Sequence, residues 1–132
     1  MILEFFDKQE HTNLANGTRI EKESDLDKLL AELLTRKPFF CELVNENRYK
    51  ELIGIAGEIG CVQYSRTDGA PPYLMALNNR EPIDPGYIEF LVDNTPTPVS
   101  MRYCISFENV RQIANYFLRT GERDPSFSWE EI

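Results

Sequence analysis

The sequence predicts an α+β fold in which one antiparallel β-sheet carries two amphipathic helices on a single face. Two observations predict it. Large apolar residues recur at helical spacing in only two stretches, and elsewhere short apolar runs are separated by hairpin-length turns. With 132 residues, of which 42% are hydrophobic, the chain is long enough to bury a core. We therefore expect one domain over residues 1–132.

The first helix is predicted to begin at Ser24 and to end before Pro38. The Ser24 hydroxyl can accept a hydrogen bond from an amide of the first turn, and proline cannot continue a helix. Arg36 and Lys37 would lie near the C-terminal end, where positive charge favours the helix dipole. The apolar stripe that faces the sheet consists of Leu26, Leu29, Leu30, Leu33 and Leu34.

The second helix is predicted to begin at Ser106, which can cap it, and to end at Gly121, which can adopt the left-handed conformation that often follows a helix. Its polar residues, Asn115 among them, are expected to face water. The residues predicted to be buried are Phe107, Val110, Ile113, Ala114, Phe117 and Leu118.

The other apolar runs are predicted to be strands. The first two should pair around Asn16 and Gly17, a frequent turn sequence. The segment 95–98 is expected to be an extended connection or an irregular edge, because Pro96 and Pro98 have no amide hydrogen for a sheet ladder. The predicted strands are residues 3–6, 18–21, 39–44, 51–56, 61–65, 73–77, 87–92 and 102–105.

The formal net charge is −8, from 22 acidic and 14 basic residues. Such a surface repels nucleic acid and anionic lipid, so we expect neither as a direct partner, and it suits a cationic protein. Solubility alone is the alternative explanation of this charge. The three cysteines lie in apolar runs, which predicts buried free thiols in a reducing compartment. The cytoplasm is therefore the expected location.

The sequence lacks the usual patterns of catalytic and metal sites. His11 is the only histidine and lies in a polar stretch, so we expect it at the surface rather than in a catalytic site. No Cys-x-x-Cys or His-x-x-x-His spacing occurs, and the glycines do not form a phosphate-binding loop. We therefore expect no catalytic residue, no metal and no cofactor.

The segment from residue 67 to residue 101 is acidic, with five carboxylates against the single base Arg80. It also contains tyrosines and several prolines, which stiffen loops and so reduce the entropy lost on association. The segment is therefore a candidate surface for a basic protein, although its charges could also serve only to keep a sheet edge soluble. The candidate binding residues are Asp68, Glu81, Asp84, Tyr87, Glu89 and Asp93.

Two residues near the C-terminus are expected to have structural roles. Trp129 is the only tryptophan, and we expect it to anchor the C-terminal tail on the sheet or on the second helix. Arg102 is expected to pair with a carboxylate across the strands.

The C-terminal half of the chain resembles the Imm1 family of bacterial immunity proteins. The most specific part is Phe117-Leu118-x-Thr120-Gly121 followed several residues later by a tryptophan, whereas the first 50 residues give no family signal. The other residues that carry the resemblance are Gly60-Cys61-Val62-Gln63-Tyr64, Asp68-Gly69, Thr95-Pro96 and Arg102.

This resemblance implies a cytoplasmic immunity protein whose partner is a secreted polymorphic toxin. It implies a toxin of the nucleic-acid deaminase class, here expected to act on cytosine, that is bound in a 1:1 complex. A deaminase of this kind holds its nucleic-acid strand in a basic groove, which the acidic segment would occlude. Two alternatives remain at this stage, a small acidic regulatory or adaptor domain with another basic partner and an enzyme that uses carboxylates.

Overall fold

The structure, a computed structural model, describes residues 1–79 and 85–132. Within these residues, ten strands form one hydrogen-bonded sheet, and two α-helices pack against it. The helices are α1 (Glu23–Glu32) and α2 (Phe107–Thr120). The strands are β1 (Leu3–Asp7), β2 (Arg19–Ile20), β3 (Phe39–Asn45), β4 (Tyr49–Ala56), β5 (Ile59–Arg66), β6 (Leu74–Ala76), β7 (Tyr87–Val92), β8 (Thr95–Ser100), β9 (Ile105–Ser106) and β10 (Trp129–Glu131).

The main path of the sheet has the order β10-β6-β5-β4-β3-β1-β2, and each neighbouring pair along it is antiparallel. Strand β9 extends the sheet beside the start of β5. Strands β7 and β8 form a separate hairpin, which meets β3 through one parallel bridge between Phe39 and Leu91. The predicted α+β fold with a single sheet is confirmed, because short connections between successive strands favour antiparallel pairing.

The leucine helix forms, but its ends differ from the prediction. Ser24 is the second residue of α1 rather than its cap, because Lys22 occupies the cap position and accepts the first amides through its backbone carbonyl. The helix ends before Arg36 and Lys37, so neither residue lies in its last turn. Arg36 instead pairs with Asp7 of β1 at 2.5 Å, a contact with a distant strand that local sequence does not reveal.

Both ends of α2 are as predicted. Ser106 caps the helix by accepting a hydrogen bond from the Asn109 amide at 3.1 Å, and Gly121 ends it with φ of +75°. The prediction that Asn115 faces water is wrong. Its side chain is buried and donates to the Asp27 carboxylate at 2.8 Å, which links α2 to α1.

Both helices pack on the same face of the sheet. Leu26 and Leu30 of α1 are fully buried, and so are the apolar residues along one side of α2. Alternate residues of each central strand point to this face, as the period-2 geometry of a strand requires. The buried strand residues of this helix-covered face include Leu3, Phe5, Phe39, Cys41, Leu43, Ile53, Ile55, Val62 and Tyr64.

The hairpin β7–β8 lies over the opposite face. Phe90 is buried there against Phe40, with ring centroids 5.1 Å apart, and its ring also contacts Gly54. A Cβ on Gly54 would lie 2.8 Å from the Phe90 ring, so only glycine allows the hairpin to approach β4 this closely. The buried residues of this hairpin-covered face are Phe40, Cys61, Met75, Phe90, Val99 and Cys104.

Two predictions around the hairpin need correction. The segment 95–98 forms a regular edge strand, β8, which pairs along its whole length with β7. Of the strand predicted at 102–105 only Ile105 belongs to one, because Met101–Tyr103 form a 3-10 turn. The Ser100 hydroxyl accepts a hydrogen bond from the Arg102 amide at 3.2 Å and so favours the turn over an extended chain.

Candidate functional site

The tip of the hairpin is a two-residue turn at Asp93 and Asn94, whose φ angles are +50° and +62°. Asparagine and aspartate tolerate this left-handed conformation better than other side chains, and its twist suits a two-residue hairpin. The tip is tied to the loop after β1, since Gln9 bonds Asn94 and His11 pairs with Asp93. Side-chain contacts thus fix the turn against the loop that follows β1.

The outer face of the hairpin brings together two of the predicted binding residues. Tyr87 and Glu89 are two positions apart on β7, so they point the same way, and Tyr87 is 61% exposed. Opposite them on β8 stand Ser100 and Pro98. Among the described residues, neither Tyr87 nor Glu89 uses its side chain in a hydrogen bond or an ion pair. The side chains of Tyr87 and Glu89 are therefore available for contact with a partner protein, on a stiff strand.

The outer edge of β8 cannot accept another strand. The Met101 amide donates to Gly86 at 3.0 Å, so the odd-numbered residues of this strand turn their amides towards β7. Pro96 and Pro98 therefore lie on the outer side, where they offer no N–H group to a pairing strand. A partner must meet this hairpin through side chains rather than by extending the sheet.

Asp68 lies apart from the hairpin. It follows β5 at the end where β5 meets Tyr49, the first residue of β4, whereas the hairpin joins the sheet beside Phe39 near the other end of β4. This places the two regions roughly 20 Å apart along the strands. The Ala70 amide at 2.9 Å, and then Arg66 at 2.6 Å, lower the pKa of Asp68, so it is firmly ionised.

The remaining two predicted residues, Glu81 and Asp84, lie outside the described residues. Asp93 differs from Glu89 because its carboxylate already pairs with His11. Of the six residues that the sequence nominated, the structure therefore brings Tyr87 and Glu89 together on one face and holds Asp93 at the tip of the same hairpin.

The motif residues at the C-terminal end build the scaffold of this site. Trp129 lies in β10, donates its indole N–H to the Asp124 carbonyl at 2.9 Å and packs against Tyr64, so the predicted anchoring role is confirmed. Arg102 pairs with the Glu130 carboxylate of β10 at 2.5 Å, as predicted, but it does so from the 3-10 turn and not from a strand. Arg102, followed by the Tyr103 hydroxyl, lowers the pKa of Glu130.

Sequence reasoning missed the buried carboxyl group of Glu51. Its side chain is completely buried on the helix-covered face, and neither of its oxygens has a hydrogen-bond partner within the described chain. Burial, followed by the nearby charge of Asp124, raises the pKa of Glu51 well above its usual range. Because the group is closed off from solvent, a substrate has no direct route to it. The sequence signal was its position between apolar residues on the inward side of β4.

The family model described as immunity protein Imm1 matches residues 15–131. The chain belongs to the Imm1 family. The match begins well before the C-terminal segments in which the motifs stand out, and it includes α1 and strands β2 to β4. A search of curated proteins found no match.

Family membership makes the protein an immunity protein for a toxin, and a cognate toxin is its partner. Neither α1 nor α2, the helices of the described chain, has the length and hydropathy that crossing a bilayer requires. The three cysteines are buried and unpaired, as predicted.

Proposed function

We propose that this Imm1 protein neutralises a secreted polymorphic toxin of the nucleic-acid deaminase class, one that acts on cytosine. It binds the toxin domain in a 1:1 complex in the bacterial cytoplasm and covers the toxin's active site or substrate groove with an acidic surface. The toxin partner follows from the family, and the resemblance of the C-terminal half supports the deaminase class. The proposal of an acidic binding surface is supported by the excess of carboxylates between residues 67 and 101 and by the exposed side of β7.

The proposed binding surface rests mainly on the outward face of β7. Tyrosine buries a large contact area at little conformational cost, and a carboxylate without a partner gains most from meeting a cation. Tyr87 and Glu89 supply one of each, side by side, on a hairpin stiffened by Pro96 and Pro98. Such a surface loses little freedom on binding.

Charge complementarity supplies the inhibitory mechanism. A deaminase that acts on a nucleic-acid strand must attract phosphates with basic side chains, and carboxylates can compete for the same cations. In this proposal Glu89 and Asp93 of the hairpin act with Glu81 and Asp84 to occupy the groove, and Asp68, roughly 20 Å away, contacts the toxin at a separate point. Glu89 contributes more than Asp93, because Asp93 already pairs with His11.

Charge reversal tests the acidic surface. Changing Glu81, Asp84, Glu89 and Asp93 together to lysine is expected to weaken toxin binding at least about a hundredfold, measured by titration calorimetry, because each reversal replaces attraction by repulsion. Binding of the parent protein should also weaken as salt is added. Unchanged affinity in the fourfold variant would place the interface elsewhere.

A single pair of variants provides the matched control. Glu89→Lys on the hairpin and Glu32→Lys on the exposed side of α1 change the net charge equally on opposite faces of the sheet. We expect a loss of affinity of about tenfold or more for the first and less than about twofold for the second. Equal losses would mean that overall charge, rather than the hairpin, governs association.

The deaminase class needs its own test. The product of the gene immediately upstream should co-purify with this protein and should convert cytosine to uracil in single-stranded DNA only when the immunity protein is absent. A co-purifying toxin with another activity would reject the deaminase class and leave the acidic interface intact. Failure to protect cells that express the toxin would instead favour an acidic adaptor domain.

A further inference from the structure

Two of the three cysteines lie where β5 runs beside β9, since Cys61 is in β5 and Cys104 immediately precedes β9. Strands β5 and β9 are antiparallel, with Ile59 opposite Ser106 and Gly60 opposite Ile105. One further step in this register places Cys61 opposite Cys104. The backbone of Cys104 is extended, with φ of −92° and ψ of 122°, which is compatible with this alignment one residue beyond the end of β9.

The hydrogen-bond pattern identifies the type of pair. Phe107 donates its amide to the Glu58 carbonyl at 2.8 Å, which marks a hydrogen-bonded position, and such positions alternate with non-hydrogen-bonded ones along an antiparallel pair. Three steps away, Cys61 and Cys104 form a non-hydrogen-bonded pair, for which the Cα atoms lie about 4.5 Å apart. That spacing is within the range of about 4.4 to 6.8 Å found in disulfides.

Both thiols belong to the small core beneath the hairpin, and Cys41 does not. The Cys61 sulfur lies over Gly54, and the Cys104 sulfur lies 3.6 Å from the Ser100 carbonyl. Rotation about the two Cα–Cβ bonds would turn the sulfurs towards each other. Cys41 points into the core of the helix-covered face, so the sheet itself separates it from the pair.

We infer that Cys61 and Cys104 are a redox-sensitive pair that closes into a cross-strand disulfide when a disulfide oxidant is supplied. The bond would join β5 to the chain just before β9 and would cross-link the small core beneath the hairpin. It would add a covalent link between two residues, 61 and 104, that are 43 positions apart in sequence. The inference does not depend on the toxin that the protein binds.

The chemistry is an ordinary thiol–disulfide exchange with glutathione disulfide as oxidant. The thiolate of one cysteine attacks a glutathione sulfur, forms a mixed disulfide and releases one glutathione thiolate. The thiolate of the other cysteine then attacks the protein sulfur of that mixed disulfide and releases the second glutathione. Two electrons pass from the protein to the oxidant, and the two thiol protons end on the two glutathione molecules.

Burial makes this exchange slow in the native protein. It raises the pKa of Cys61 far above its ordinary value and that of Cys104 to about 11, so both groups are thiols at neutral pH. Cys104 is the first to react, because it follows the short 3-10 turn, which can open locally. Urea below the unfolding transition should therefore accelerate the reaction.

The test uses the full chain, incubated with glutathione disulfide in buffer and in urea below the transition. We expect the intact mass to fall by two hydrogen atoms, and non-reducing peptide mapping to join the Cys61 peptide to the Cys104 peptide. The melting temperature of the oxidised protein should rise by roughly 5 to 15 °C and return on reduction. Glutathione adducts alone, no reaction in either condition, or a linked peptide that contains Cys41 would overturn the inference.

Single substitutions provide the controls. Cys41→Ala should still form the cross-link, because Cys41 lies on the other face of the sheet. Cys61→Ala should leave Cys104 able to form only a mixed disulfide with glutathione. If either variant fails to fold, peptide mapping of the unaltered protein still decides the question.

Discussion

The two faces of the sheet differ in how completely they are covered. Among the described residues, the core on the helix-covered face contains twenty buried side chains, whereas the core beneath the hairpin contains six. The hairpin also leaves a cavity of about 370 Å³ between β8 and the sheet, lined in part by Leu52, Met75 and Val99. Each helix packs a whole apolar stripe against the sheet, whereas each strand of the β7–β8 hairpin directs only alternate side chains towards it.

This difference assigns stability mainly to the helix-covered face and recognition to the outer side of the hairpin. Most of the buried apolar surface, and hence most of the hydrophobic stabilisation, belongs to the helix-covered face. Tyr87 and Glu89, which are proposed to contact the toxin, lie instead on the exposed outer side of the hairpin. Substitutions on the first face should therefore change the free energy of unfolding, and those on the hairpin surface should change affinity.

The largest effect is expected from Phe117→Ala in α2. Phe117 is fully buried and meets the Tyr64 ring edge-on at 6.0 Å, so its removal should lower the free energy of unfolding by about 3 to 5 kcal/mol in urea titrations. Arg119→Ala, on the exposed side of the same helix, should cost less than about 1 kcal/mol, because the ion pair with Glu23 that it removes lies at the surface. Similar losses for both would contradict the division between buried and exposed sides.

Asp7→Asn should be the next most damaging change. The carboxylate of Asp7 is buried on the helix-covered face, but Arg36 and the amides of Glu10 and Gln9 outweigh that burial and lower its pKa. A carboxyl whose pKa is lowered by folding stabilises the protein above its unfolded value of 3.8 and loses that contribution as pH falls further. We expect a loss of about 2 to 3 kcal/mol at neutral pH.

Denaturation curves as a function of pH provide the check on Asp7. The difference between Asp7→Asn and the parent should shrink below pH 3.8, where the parent carboxyl also becomes neutral. A difference that stays constant down to low pH would show that the charge of Asp7 is not the stabilising feature.

Glu51→Gln should have the opposite pH dependence. Because folding raises the pKa of Glu51, the folded state holds its proton above pH 4.5 while the unfolded state releases it, and stability falls as pH rises. The variant cannot titrate, so its advantage over the parent should grow by up to about 1.4 kcal/mol per pH unit above pH 4.5, until the folded pKa is passed. Parallel stability curves for the two proteins would rule out this account.

The smallest effect on stability is expected from Tyr87→Ala, a change on the exposed side of the hairpin. With 61% of the residue exposed, its loss should change the free energy of unfolding by less than about 0.5 kcal/mol. Toxin affinity should nevertheless fall about tenfold or more in calorimetry, because exposed tyrosines are frequent anchors of interfaces. A stable variant with full affinity would remove Tyr87 from the interface.

Many elements of the fold could be predicted from the sequence because their causes are local. The cap at Ser106 and the left-handed glycine at 121 depend on hydrogen bonds within a few residues. The apolar stripes of both helices follow from periodicity. Of the candidate site, Tyr87 and Glu89 could be placed on one side of a strand by alternation, although no sequence pattern showed which layer of the molecule that strand would join.

The class of fold, the buried faces of the helices and the acidity of the candidate segment could all be predicted from the sequence. Tertiary contacts were needed to show that β7 and β8 form a hairpin over the opposite face, that Arg36 pairs with Asp7, and that Glu51 is closed off from solvent. The two groups of features differ in the range of the interactions that produce them. Capping and periodicity act within a turn or two of chain, whereas strand pairing and burial depend on segments that are distant in sequence and meet only in the folded state.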